Sequence, residues 1–332
     1  RLADLPARRV LAVSAIAIAA TTMVAAVLLG ASFRFTTTLA AAEGAPRDPR
    51  TECFGAAAAD PASECEGVVF DALTPNPILA VDDKPAVYAR SCWDKTVDVV
   101  TCHLGEPLGQ SRVALLGDSH AIAISPTVDV VARTLDWSVD TYFKSGCPFM
   151  SGAPEHVDTT DDRTCVDWNA ALDEHLAAAE PYDVAIVTYS DGTAFVGERA
   201  AAIARFREAW GPLIDRGTLI VAVRDFPGVG DWVECLTESP RAPERCAVPR
   251  AEAENTDFEI AAAQGTSGVV TLDLTDVLCD DDTCQVALGG VTAFRDSHHL
   301  SNTFALTLVP ILEARLEEAG VLDRVGAGSP PE

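Results

Sequence analysis

Positive charge is scarce in this 332-residue chain: 24 Lys and Arg stand against 50 Asp and Glu, a formal net charge of −26. Such a balance repels phosphate backbones and anionic lipid surfaces, which excludes nucleic acid as a partner class. Donors for a cysteine-type zinc site are scarce too. No Cys-x-x-Cys pair exists, and none of the six histidines stands at ligand spacing from a cysteine cluster. No internal repeat is present, so a repeat architecture is not in question. Charge is missing altogether from Val10 to Phe33, a run of 24 residues.

At ~1.5 Å per residue an uncharged run of that length is long enough to cross a ~30 Å hydrocarbon core, and it reads as a transmembrane helix. The alternative is a signal peptide cleaved near Leu39-Ala40-Ala41-Ala42, but the run is longer than the ~7–15 apolar residues of a signal sequence. Arg1, Arg8 and Arg9 before the run are balanced by Arg34, Arg47 and Arg50 after it, so basic residues do not set its sidedness. A chain that starts at Arg1 reads as a fragment whose upstream portion is missing.

All ten cysteines follow this run, at positions 53, 65, 92, 102, 147, 165, 235, 246, 279 and 284. An even set on one side of a membrane helix points to disulfides in an oxidising compartment. Nearest-neighbour pairing is the expectation, although sequence does not fix connectivity.

Residues 1–34 therefore read as the membrane helix. Residues 35–90, broken by PRDPR, DPASEC and TPNPI, read as a stem or linker closed by one disulfide loop. From Ser91 short apolar runs alternate with amphipathic stretches, the pattern of a three-layer αβα domain with a five-stranded parallel sheet over 91–320. The predicted strands are Val113–Leu116, Val139–Phe143, Val184–Thr188, Leu219–Val223 and Val269–Leu272. Helices are predicted near Ile122–Leu135, Val166–Ala179, Glu198–Ile214, Arg250–Ala263 and Asn302–Ala319, and 321–332 reads as a disordered tail.

Ligands of open parallel sheets bind beyond the carboxyl ends of the strands. Ser119, in Gly117-Asp118-Ser119-His120, follows the first predicted strand. A serine hydroxyl becomes a nucleophile when a base takes its proton and a third group orients that base. Asp296-x-x-His299, just before the last helix, offers both; His298 is an alternative base. Each piece alone is weak, since a Gly-Asp-Ser turn also caps helices. His120 reads as a packing or hydrogen-bonding neighbour of the turn. Lys144 reads as a solvated loop cation or a contact for what the site binds.

The order of these blocks resembles the SGNH (GDSL-like) hydrolase superfamily. The closer resemblance is to the extracytoplasmic SGNH domain of bacterial family 3 membrane acyltransferases, which O-acetylate cell-wall and surface glycans. Gly117-Asp118-Ser119-His120 matches the first block, Lys144-Ser145-Gly146-Cys147-Pro148 looks like the second, and Asp296-Ser297-His298-His299-Leu300-Ser301 matches the last. Val223-Arg224-Asp225-Phe226-Pro227 and the Cys279–Cys284 loop also look like that family. The similarity covers roughly Ser91 to Ala319. One block departs: the usual Gly-x-Asn-Asp is Thr188-Tyr189-Ser190-Asp191 here, so the asparagine amide is absent.

The resemblance implies a flavodoxin-like fold for this domain, and that Ser119 accepts an acyl group, His299 is base and then acid, and Asp296 orients it. It also implies an oxyanion hole at the backbone N–H of Ser119 and Gly146, with Ser190 as a substitute for the asparagine. It implies an O-acyltransferase module acting on a glycan acceptor, with an esterase of the same type, or a silent glycan-binding domain, as other readings. No cofactor is expected in this domain; the acyl donor, acetyl-CoA, would be used by an upstream acyltransferase membrane domain. The membrane contact would be Val10–Phe33, and the catalytic domain would stand outside the bacterial cell membrane.

Overall fold

A computed structural model of the protein describes residues 14, 16, 18–30 and 48–326, apart from 66, 94–95, 153–158, 191–198 and 254–256. The chain divides into two units, Arg1–Ala45 and Pro46–Glu332. In the first, residues 14, 16 and 18–30 are helical and exposed. Among the described residues no helix is long and apolar enough to cross a membrane. The remainder of Val10–Phe33 and the Leu39–Ala42 cleavage motif lie outside the described residues.

In the second unit the apolar runs form a six-stranded sheet: β1 (Thr101–Gly105), β2 (Ser111–Gly117), β3 (Trp137–Phe143), β4 (Val184–Thr188), β5 (Leu219–Val223) and β6 (Val269–Leu272). The order is β1-β3-β2-β4-β5-β6. Five strands are parallel, and β1 runs antiparallel along β3. The expectation of five strands is thus one short, for a physical reason. Thr-Cys-His-Leu-Gly has no apolar alternation to announce a strand, and only Leu104 and Gly105 are buried. This edge is held by a disulfide from Cys102 to Cys92 and by a cross-strand hydrogen bond of 2.6 Å from His103 Nδ1 to Asp140.

Side chains alternate across β2, as the two-residue period of a strand requires. Val113 and Leu115 join one apolar cluster with Ile122 and Val128 of helix α1 (Ser119–Thr134). Ala114 and Leu116 join the opposite one. That second cluster holds Trp168 of α2 (Thr159–Ala178), Phe206 and Trp210 of α3 (Arg199–Asp215) and Phe258 of α4 (Phe258–Ala263). The result is helix, sheet, helix. The stretch 48–90 also feeds the first cluster, through Phe54, Ala56, Leu73, Ala80 and Val87.

The last predicted helix is two: α5 (Asn302–Thr307) and α6 (Val309–Glu318) meet at Leu308, where Pro310 in the first turn of α6 lacks the N–H that would continue one ladder. The predicted Arg250–Ala263 helix likewise appears as Arg250–Ala253 and α4, with 254–256 outside the described residues. The expectation of a disordered tail does not hold over 321–326. Val321–Gly326 is helical and Val321 is fully buried, while 327–332 lie outside the described residues.

Five disulfides join Cys53–Cys65, Cys92–Cys102, Cys147–Cys165, Cys235–Cys246 and Cys279–Cys284, the nearest-neighbour pairing, and no cysteine is free. Disulfides at this density suit an extracytoplasmic, oxidising compartment.

Candidate active site

Strand β2 lies between β3 and β4, and the chain leaves β2 towards β3 but leaves β4 towards β5, so the two connections diverge at the carboxyl edge, where crevices form. Gly117 ends β2 opposite Phe143 and Thr188. Its φ of +146° is closed to most side chains, and a Cβ there would collide with the Thr188 carbonyl oxygen. Asp118 follows as the N-cap of α1. Its buried carboxylate accepts the His120 N–H at 2.8 Å and the Ser190 N–H at 3.0 Å. Burial pushes the Asp118 carboxyl up. Ser119 is the first residue of α1, where backbone N–H groups have no partner within the helix.

The second half of the site comes from the turn at 294–301. Arg295 N–H donates to the His299 carbonyl at 2.9 Å, and Phe294 bridges Leu300. Within this turn Asp296 Oδ1 accepts the main-chain N–H of His298 at 3.1 Å and of His299 at 2.8 Å. Two outside groups fix it: the Trp232 indole donates to the Asp296 carbonyl at 2.8 Å and Val229 N–H donates to the Ser297 carbonyl at 2.7 Å; within the turn, Arg295 reaches the Asp296 carboxylate at 3.2 Å. Arg295 also donates to the Tyr88 hydroxyl at 3.3 Å. Beyond the turn, Ser301 caps α5 by accepting the Phe304 N–H at 3.1 Å. Asp83 accepts the next two N–H groups, of Asn302 at 3.0 Å on its carbonyl and of Thr303 at 2.8 Å on its carboxylate.

These two halves bring Ser119, His299 and Asp296 into series across 180 residues of sequence. His299 Nε2 lies 2.8 Å from Ser119 Oγ, and His299 Nδ1 lies 2.8 Å from Asp296 Oδ2. Since an ionised carboxylate only accepts, Nδ1 carries the ring proton and Nε2 presents a lone pair to the serine hydroxyl. Burial pushes the Asp296 carboxyl up, but hydrogen bonds from the His299 ring and backbone outweigh it and hold the group well below the usual carboxylate range. His299 is held below its ordinary value, first by burial and then by neighbouring His120 and Arg295, against the pull of Asp296. A hydroxyl, a neutral imidazole and a carboxylate in this order can remove the hydroxyl proton near neutral pH.

The other predicted residues are placed as follows. Gly146 is exposed, with φ +64°, in the turn after β3, which Lys144 N–H ties to the Gly117 carbonyl at 3.1 Å. Ser190 is half-buried beside Asp118, and its main-chain N–H is spent on that carboxylate. Asp191 lies outside the described residues. His298, the alternative base, bonds Ser297 Oγ through Nδ1 at 2.9 Å, and its pKa is lowered by burial. Lys144 is buried instead of solvated, with Nζ 2.6 Å from the Thr96 carbonyl.

Sequence reasoning gives His120 a packing or hydrogen-bonding place beside the turn but not its partner. His120, buried, pairs through Nδ1 with Asp225, 105 residues away. Its ring stacks on His298 at 5.4 Å and tilts against His299 at 5.0 Å. Asp225 lies just beyond β5, on the same carboxyl edge of the sheet as Ser119, and in the family-like block Val223–Pro227. Arg295 and Tyr88 carried no signal beyond the adjacency of Arg295 to Asp296.

A family model described as "SGNH domain (fused to AT3 domains)" matches residues 88–314. Among solved structures, the chain is similar to the periplasmic domain of a lipopolysaccharide acetyltransferase from Salmonella ser. Paratyphi A. The identity is 15% and the TM-score 0.48, over 64% of this chain and 85% of that one. It is also similar to a carbohydrate esterase family 2 enzyme plus carbohydrate-binding domain from Corynascus thermopiles (Myceliophthora fergusii). Here the identity is 12% and the TM-score 0.36, over 65% of this chain and 67% of that one. No curated protein matches the sequence.

Proposed function

The chain belongs to the SGNH domain family whose members are fused to AT3 domains, and from that premise we propose that it is an O-acyltransferase module. It carries an acyl group, acetyl in the simplest case, through Ser119 to a hydroxyl of a cell-wall or surface glycan. The observation that carries this reading is the 2.8 Å contact of Ser119 Oγ with His299 Nε2, backed by Asp296 on Nδ1.

In the first half-reaction Ser119 Oγ attacks the acyl carbonyl carbon while its proton passes to His299 Nε2. Asp296 stabilises the imidazolium that forms. The oxyanion is met by the Ser119 N–H at the start of α1 and by the Gly146 N–H, with the Ser190 hydroxyl in place of the asparagine amide. Collapse expels the donor's leaving group, which takes the proton from His299. In the second half-reaction a glycan hydroxyl gives its proton to His299 and attacks the acyl carbon; the bond to Ser119 Oγ breaks, and His299 returns the proton to the serine. Removing one oxyanion donor costs ~10²–10³ in rate, so the lost asparagine predicts a modest turnover.

In this reading an AT3 membrane domain delivers the acyl group from a donor such as acetyl-CoA, Val10–Phe33 is the adjoining membrane helix, and the SGNH domain works outside the membrane. Purified protein is incubated with an activated aryl acetate, with and without a glycan acceptor. The reading expects acetylated oligosaccharide, lost in Ser119→Ala and His299→Ala. Release of free acetate alone, with no acetylated acceptor, would replace the transferase by an esterase. No reaction of either kind in folded protein would leave a glycan-binding domain.

A further inference from the structure

Three imidazoles converge beside the nucleophile. One ring nitrogen from each of His120, His298 and His299 lies within 4.8 Å of the others. Two of the three are oriented in the way metal-binding histidines are, with Nδ1 held by a carboxylate: Asp225 for His120 and Asp296 for His299. That carboxylate contact fixes each ring and leaves Nε2 as the coordinating atom. The third ring, His298, has a 44% exposed side chain and stacks on His120, so the cluster is open to solvent on one side. Every cysteine is bound in a disulfide, so no thiolate competes with imidazole, a ligand suited to zinc, copper and nickel. A net charge of −26 raises the local concentration of cations.

We propose that His120, His298 and His299 form a binding site for a divalent transition-metal ion, zinc foremost, and that its occupation arrests acyl transfer. The arrest follows from a conflict over one lone pair. His299 Nε2, 2.8 Å from Ser119 Oγ, is the atom that receives the serine proton and also the atom that a metal would occupy. Metal and acylation therefore exclude each other. Magnesium and calcium, which take oxygen ligands, leave the site alone. The inhibitory consequence rests on the catalytic reading of Ser119 and His299; the binding does not.

The test is a zinc titration of the full chain without a polyhistidine tag, followed by calorimetry and by hydrolysis of an activated aryl acetate, with cobalt as a visible-absorption probe of coordination. One zinc per chain is expected, with turnover falling in step with occupancy and restored by a chelator, and with no effect of magnesium. His298→Ala or His298→Gln weakens zinc binding by at least about 100-fold. Asp225→Asn weakens it by about 10–100-fold. Ser119→Ala still binds zinc. If zinc binds as expected but metal-free wild type turns nothing over, the catalytic reading falls and the site stands. No binding up to millimolar zinc would overturn the proposal. So would binding untouched by His298→Ala and abolished by His103→Ala, whose exposed imidazole beside Asp140 is the rival position.

Discussion

The serine side of the site stands on the sheet, whereas the histidine side stands on an irregular turn that pairs with no strand of the sheet. Gly117 to Ser119 is fixed by strand pairing on both flanks of β2 and by the first turn of α1. The turn at 294–301 is fixed instead by Trp232, Val229 and Arg295, and its outgoing helix by Asp83 and Ser301. The serine is therefore positioned by local sequence and the commonest of packings. The base is positioned by single hydrogen bonds from segments as distant as residue 83. Damage to the first side should appear as lost stability, and damage to the second as lost rate.

The largest effect that would sharpen this contrast is on rate. Asp296→Asn removes the acceptor that fixes the His299 tautomer, and kcat on an activated ester is expected to fall ~10⁴-fold with the folded state intact by near-UV circular dichroism. A small loss of rate would mean that His299 is oriented by something other than Asp296. Next, Gly117→Ala forces a side chain into a φ of +146° and against Thr188. Denaturant titration should show a loss of roughly 1–3 kcal/mol, and unchanged stability would break the claim that the sheet rigidly sets the serine. On the other side, Asp83→Ala strips a cap from α5 and should cost about 1 kcal/mol of stability, together with a fall in kcat that the KM does not share. If KM alone moved, Asp83 would not be positioning the base.

The smallest effect is a shift in pH dependence. His299 must be neutral to accept the serine proton, so activity falls as pH drops through its pKa. Burial holds that value below 6.5, and Arg295 and His120 add to the depression. The acid limb of kcat/KM should then lie below pH 6.5. Arg295→Met removes one of the lowering charges and should move the limb upward, toward the ordinary histidine value; a downward move would contradict the assignment of His299 as base.

The same contrast explains what sequence reveals. The parallel strands at Val184–Thr188, Leu219–Val223 and Val269–Leu272 were expected at their observed bounds because each is a dense apolar run between turn residues. Strand β1 is hard to read because an edge strand buries little, and its Cys102 and His103 are committed to a disulfide and a cross-strand hydrogen bond. The stretch 48–90 looks like a stem because its prolines break all periodicity. Its contributions to the core are isolated side chains such as Phe54 and Leu73, which have no pattern to read. Ser119, Asp296 and His299 were legible because each sits in a short block whose chemistry is local, although their meeting had to be seen. The His120–Asp225 pair was not, since 105 residues separate two groups that individually resemble helix and loop residues.

The account turns on a covalent acyl group at Ser119. Protein exposed briefly to an activated aryl acetate, quenched in acid and digested, should carry one acetyl group on the peptide containing Ser119, and Ser119→Ala should carry none there. Turnover of the ester with the acetyl group on another residue, or with Ser119→Ala turning over as fast as wild type, would contradict it.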